Sequence, residues 1–142
     1  MEKLTLNIEQ SEQLYRKGRK HYEPKMCYMN IYNMAYSLDN YARFQSGKLK
    51  IAYGYKSSVA NLLVRHCFVI NDAREVIDPT LFCQPEPDVN SVYYVMYEFP
   101  TMKDYWAALE KEGYYPALLS FLRSHNALAH QWAQANGFIL YG

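Results

Sequence analysis

The sequence holds only three cysteines in 142 residues, Cys27, Cys67 and Cys83. They cannot all pair with one another, and their placement matches no disulfide framework or zinc motif. No apolar run approaches the roughly 18 residues needed to span a bilayer. The start, Met1-Glu2-Lys3-Leu4-Thr5-Leu6, lacks the apolar stretch of a secretory signal. Charge of one sign is missing as well. Fifteen Lys+Arg against 14 Asp+Glu leave a net +1, with no global bias towards nucleic acid or an anionic membrane. There is no internal repeat, low-complexity tract or long linker. These absences predict a single domain over residues 1–142, soluble and cytoplasmic, with no cofactor, no metal and no membrane partner. In such a reducing setting a cysteine is judged by its reactivity.

What is present is tyrosine, 15 of the 23 aromatic residues, and enough apolar residues (50%) to build a core. A large ring with a polar tip suits half-buried strands and binding surfaces. Asn7 reads as the cap of a short helix ending near Gly18. After Pro24, residues Cys27, Ile31, Met34, Ala35, Leu38 and Ala42 fall on one helical face, which predicts a helix from about Lys25 to Tyr41. Leu49, Ile51, Tyr53 and Tyr55 alternate with polar or small residues as in a half-buried strand. Leu62 to Ile70 is apolar on both faces and reads as a central strand. Asn71 to Arg74 carries turn chemistry, Glu75 to Asp78 returns as a short strand, and Pro79, Pro85 and Pro87 mark an irregular loop. Val92 to Phe99 is a further strand. Helical patterns follow from Thr101 to Gly113, from Pro116 to Arg123 and from Asn126 to Asn136. Helices, then about four antiparallel strands, then helices make an α+β arrangement.

Cys27 at a helix start, His66 on a strand and Asp78 on the next have the types and the order of a nucleophilic site. A thiol nucleophile gains from the positive end of a helix dipole. It also needs an imidazole partner, and that imidazole needs an acceptor to fix its tautomer. A three-residue loop from Asn71 to Ala73 would pair Val69 with Glu75 and set His66 directly opposite Asp78, with Cβ atoms about 5 Å apart. A loop of even length would make them diagonal partners.

These stretches resemble the transglutaminase-like branch of the papain-like cysteine proteases. The resemblance rests on Cys27 with Ala35 behind it, Ile51-Ala52-Tyr53-Gly54-Tyr55, His66-Cys67-Phe68-Val69-Ile70 and Val76-Ile77-Asp78-Pro79-Thr80, over residues 24–82. Phe68 and Tyr28 stand where many relatives carry Trp. The resemblance implies a nucleophile helix packed on a small antiparallel sheet, with C-terminal helices flanking it. It implies Cys27 as nucleophile, His66 as general base and acid, and Asp78 as the orienting residue. The oxyanion would be held by the Cys27 N–H, with Gln10, Gln13 or Tyr22 as candidate side-chain donors. The activity expected is acyl transfer on the amide of a protein or peptide. The alternative is a relic of the same fold that binds or inhibits a partner.

Other features are assigned to structure. Cys67 points to the face opposite His66, and Cys83 sits in the proline-bracketed loop. His125 and His130 lie about 140° apart around a helix, a poor metal pair. The basic run from Arg16 to His21 reads as a solvated face, which ranks nucleic-acid binding last. Tyr93, Tyr94 and Tyr97 are read as sheet packing, and Tyr114-Tyr115 as a candidate groove wall. Specificity is expected in the loops Lys56 to Asn61 and Leu81 to Asn90.

Overall fold

A computed structural model of the chain describes residues 1–113 and 122–141. The elements in order are β1 (Glu2–Thr5), α1 (Ile8–Gly18), α2 (Cys27–Tyr36), α3 (Leu38–Gln45), β2 (Leu49–Ser57) and β3 (Leu62–Asn71). They are followed by β4 (Val76–Ile77), β5 (Val92–Glu98), α4 (Met102–Lys111), α5 (Arg123–Asn136) and β6 (Ile139–Tyr141). The architecture is α+β, with a mixed six-stranded sheet. Local chemistry sets several boundaries. Asn7 Oδ1 accepts the Gln10 N–H at 2.9 Å and caps α1, and Thr101 Oγ1 accepts the Asp104 N–H at 3.1 Å and caps α4. Gly137, at φ 78°, ends α5 in the left-handed conformation that glycine tolerates best.

The sheet order is β1-β5-β2-β3-β4, antiparallel throughout, and β6 adds to β3 in parallel. It curls until Leu6 forms a bridge to Val76 and the Asn7 N–H donates to the Val76 carbonyl at 2.8 Å. Inside the curl Leu4, Ala52, Phe68, Ile70, Val76 and Tyr93 pack together. On the other face α1, α2 and α4 bury Leu14, Ile31, Met34 and Leu109 against Ile51, Tyr53, Cys67 and Val69. This two-sided cover explains why β2 is buried on both faces from Ile51 to Tyr55 and not half-buried as its alternation predicts. Helix α5 covers the far end through Ala129, against Tyr55, Leu63 and Tyr94.

Three expectations need correction. The helix expected to run to Tyr41 breaks at Ser37, whose backbone is extended (φ −67°, ψ 141°). Its hydroxyl donates to the Met34 carbonyl at 3.0 Å and accepts from Asn40 Nδ2 at 2.9 Å, competing with the helical ladder. Leu38 is consequently 96% exposed and leaves the apolar stripe, as does Ala42. Strands β1 and β6 carry too few residues to show a period, and β6 makes the sheet mixed. The hairpin register also differs. Ile70 pairs with Val76 and the Asn71 N–H donates to the Glu75 carbonyl at 2.9 Å, so the loop is Asp72 to Arg74. Asn71 Oδ1 fixes this turn by accepting from the Ala73 and Glu75 N–H groups at 3.1 and 2.8 Å. His66 and Asp78 are therefore diagonal and not directly opposed. The helix expected from Pro116 and the Tyr114-Tyr115 pair lie outside the described residues, apart from Leu122 and Arg123 at its end.

Candidate active site

The hairpin of β2 and β3 carries the histidine. Gly54 lies opposite His66, and a bulge between Tyr53 and Gly54 shifts the register with β5. A Cβ at Gly54 would sit 2.0 Å from the Tyr94 carbonyl oxygen, so only glycine lets the two strands close here. His66 and Lys56 share one face of the hairpin, and Tyr93 on β5 pairs with Lys56.

Diagonal placement brings the carboxylate within reach. Asp78 Oδ2 lies 2.8 Å from His66 Nε2 and accepts from the Tyr93 hydroxyl at 2.6 Å. Its Oδ1 accepts the Leu81 N–H at 3.4 Å, at the start of the short 3-10 turn Thr80–Cys83. Its own N–H donates to Ser11 Oγ on α1 at 3.1 Å. Asp78 is wholly buried, and burial alone would raise its pKa. The His66 charge and hydrogen bond, the Tyr93 hydroxyl and Lys56 overcome that and hold it below the ordinary carboxylate value. For His66 burial pulls downward, but the Asp78 charge and hydrogen bond, with Cys27, raise its pKa from 6.5 to about 9. Asp78 thus favours the protonated form of the ring. Tyr93 is pushed up by burial and by the Asp78 charge, so it stays a donor.

Cys27 is the first residue of α2, and no side chain caps that terminus. The backbone reaches it through Lys25 at φ 63°, a conformation costly for a residue with a side chain. Buried Asn30 holds the approach. Its Nδ2 donates to the Glu23 carbonyl at 2.8 Å and to Thr80 Oγ1 at 2.9 Å, and its Oδ1 accepts the Glu23 N–H at 3.0 Å. Half-buried Cys27 acts on His66 through a side-chain hydrogen bond. Cys27 and His66 share a cleft of about 290 Å³ with Lys25, Lys56, Ser58, Arg65, Thr80 and Gln84 among its walls. Two roomier hollows, of about 370 and 380 Å³, have no cysteine among their described lining residues.

No family model matches the chain. Compared with family models, curated proteins and solved structures, it returns no match to any of them. The site is therefore read from its own atoms. Cys27, His66 and Asp78 come together. Of the proposed oxyanion side chains, Gln10 instead accepts from Asn71 Nδ2 at 2.9 Å, beside the hairpin turn. Tyr22 packs in the core, and none of Gln10, Gln13 and Tyr22 lines the cleft. Cys67 is buried, its thiol pushed up by that burial, and Cys83 donates to the Pro79 carbonyl at 3.7 Å. Among the described residues no group of three or more His, Cys, Asp and Glu is placed to hold a metal, and no helix is long and apolar enough to cross a membrane. Sequence does not single out Tyr93 or Ser11, whereas Gln84 lies in the loop Leu81 to Asn90 expected to set specificity. For Tyr93 the signal is lost in an alternating strand, because its register depends on the bulge at Gly54.

Proposed function

We propose that the chain is a thiol-dependent acyl transferase or hydrolase acting on amide bonds, on a papain-like, transglutaminase-like scaffold. The observation that carries this reading is the 2.8 Å contact between His66 Nε2 and Asp78 Oδ2, made where the ring also meets Cys27 in a cleft. In this reading Cys27 reacts with its proton carried by His66, whose protonated form the Asp78 carboxylate favours. Cys27 Sγ adds to the amide carbon, forming a C–S bond and moving the carbonyl electron pair to oxygen. The Cys27 N–H at the uncapped helix start would donate to that oxygen. Collapse breaks the C–N bond, and the leaving amine takes the proton from His66. Water then adds to the thioester, giving its proton to the now neutral His66, and the thiolate departs. An amine in place of water gives transamidation.

Alkylation tests the nucleophile. Iodoacetamide is expected to modify Cys27 at least about tenfold faster than Cys67 or Cys83, as read by peptide mass spectrometry, and His66→Gln should remove that advantage. Equal labelling of the three thiols sinks the assignment. The second reading, a relic that binds a partner, is favoured by the exposed Tyr36, whose ring centroid lies 4.4 Å from that of the partly buried Trp106. It requires stable capture of a partner that Cys27→Ala leaves intact.

A further inference from the structure

The walls of the Cys27 cleft are one-sided in charge. Lys25, Lys56 and Arg65 line it, and none of its described lining residues is Asp or Glu. The chain as a whole is nearly neutral, at +1, so this is a local concentration. Ion pairs lie away from this cleft: Arg16 with Glu12, Lys50 with Glu98, and Arg74 with both Glu2 and Glu98. Among the described residues Lys25, Lys56 and Arg65 form no close ion pair, although the Lys56 charge helps hold down the pKa of buried Asp78. Arg65 Nε is buried without a hydrogen bond, although the guanidinium bonds the Tyr55 hydroxyl. Asp78, the carboxylate nearest the thiol in the chemistry, is wholly buried and committed to His66 and Tyr93. Glu23, Glu86 and Asp88 are exposed on flanking segments but do not line the cleft. The His66 imidazolium is matched by Asp78, so neither adds a net charge to the wall that holds the three cations.

We propose that the cleft takes an acidic peptide, with Asp or Glu side chains flanking the amide that Cys27 attacks. This rests on the acyl-transfer reading and names its substrate class. The three cations come from separate segments, the approach to α2, the end of β2 and the start of β3, and all line the cleft that holds Cys27. A single carboxylate cannot meet all three, whereas an extended chain with acidic side chains on either side of the reacting carbonyl can. The two loops expected to set specificity contribute Lys56, Ser58 and Gln84 to the same wall.

The test uses two peptidyl chloromethyl ketones, acetyl-Glu-Ala-Glu-Gly and its isostere acetyl-Gln-Ala-Gln-Gly. Each alkylates a thiolate with loss of chloride, and modification of Cys27 is read by mass spectrometry. The Glu probe is expected to react at least about tenfold faster at low ionic strength, with the gap closing near about 0.5 M NaCl. The triple variant Lys25→Gln, Lys56→Gln, Arg65→Gln should lose the preference. Lys25→Gln alone, at an exposed position, should cut it about threefold and covers the case in which the triple variant fails to fold. Fast alkylation of Cys27 by both probes at equal rates overturns the substrate class and leaves the nucleophile standing. A preference no larger than that of iodoacetate over iodoacetamide overturns the peptide in favour of a small anion. If Cys27 reacts with neither probe faster than Cys67 and Cys83 do, the acyl-transfer reading falls and takes this inference with it.

Discussion

Asp78 Oδ2 receives two donors at once, the His66 ring and the Tyr93 hydroxyl. A buried carboxylate is tolerable only while its lone pairs are met, so Tyr93 matters out of proportion to one contact. Tyr93→Phe keeps the ring packing against Phe68 and removes only the hydroxyl. It is expected to lower stability by about 2 kcal/mol, the range for a hydrogen bond to a charged group. Urea denaturation at neutral pH measures it. The residue types of Cys27, His66 and Asp78, and their order, could be read from the chain because each sits in a recognisable local context. Tyr93 and Ser11 could not. Each reaches Asp78 from a distant element, and no local pattern encodes that distance.

Among the elements, the β3–β4 hairpin shows how a turn can override a simple register argument. Asn71 gathers the chain into a tight loop, and the residue closing it, Arg74, takes φ 59°. That conformation is normally left to glycine or asparagine. Arg74 holds it while its guanidinium bridges Glu2 on β1 and Glu98 on β5. Removing the side chain separates the two effects. Arg74→Ala loses the ion pairs and keeps the strain, whereas Arg74→Gly loses the ion pairs and relieves it. The glycine variant is expected to be the more stable of the two by about 1 kcal/mol, as read from denaturant midpoints. Ser37 makes a similar point from the helical side. The apolar period ran on through Leu38 and Ala42, but a hydroxyl competing for backbone carbonyls ended the helix, and periodicity alone does not register that competition.

For the whole molecule, the buried pair ties stability to pH from both sides. The His66 pKa is raised by folding, so its contribution is complete below about 6.5 and fades as pH climbs through about 9. Asp78 is shifted the other way. Its contribution is complete above the ordinary carboxylate value of 3.8 and fades as pH falls below it. Unfolding free energy from urea titrations is therefore expected to peak between about pH 4 and 6.5 and to decline on either side. An unbroken rise from pH 6 to pH 10 contradicts the pair. The α+β class was visible in the order of patterns along the chain. The curl that joins Leu6 to Val76 was not, because it is set by strand twist and by an isolated bridge with no sequence signature.

The bonds that hold Asp78 also fix when the site can exist. They span 12 residues to His66, 15 to Tyr93 and 67 to Ser11. A chain emerging from the ribosome presents the Cys27 thiol early, but its imidazole is unsupported until residue 93 has arrived and β5 has entered the sheet. Closing loops of that length costs entropy that only late, cooperative contacts repay. Cys27 is thereby kept apart from the assembled His66–Asp78 pair until that stage of synthesis.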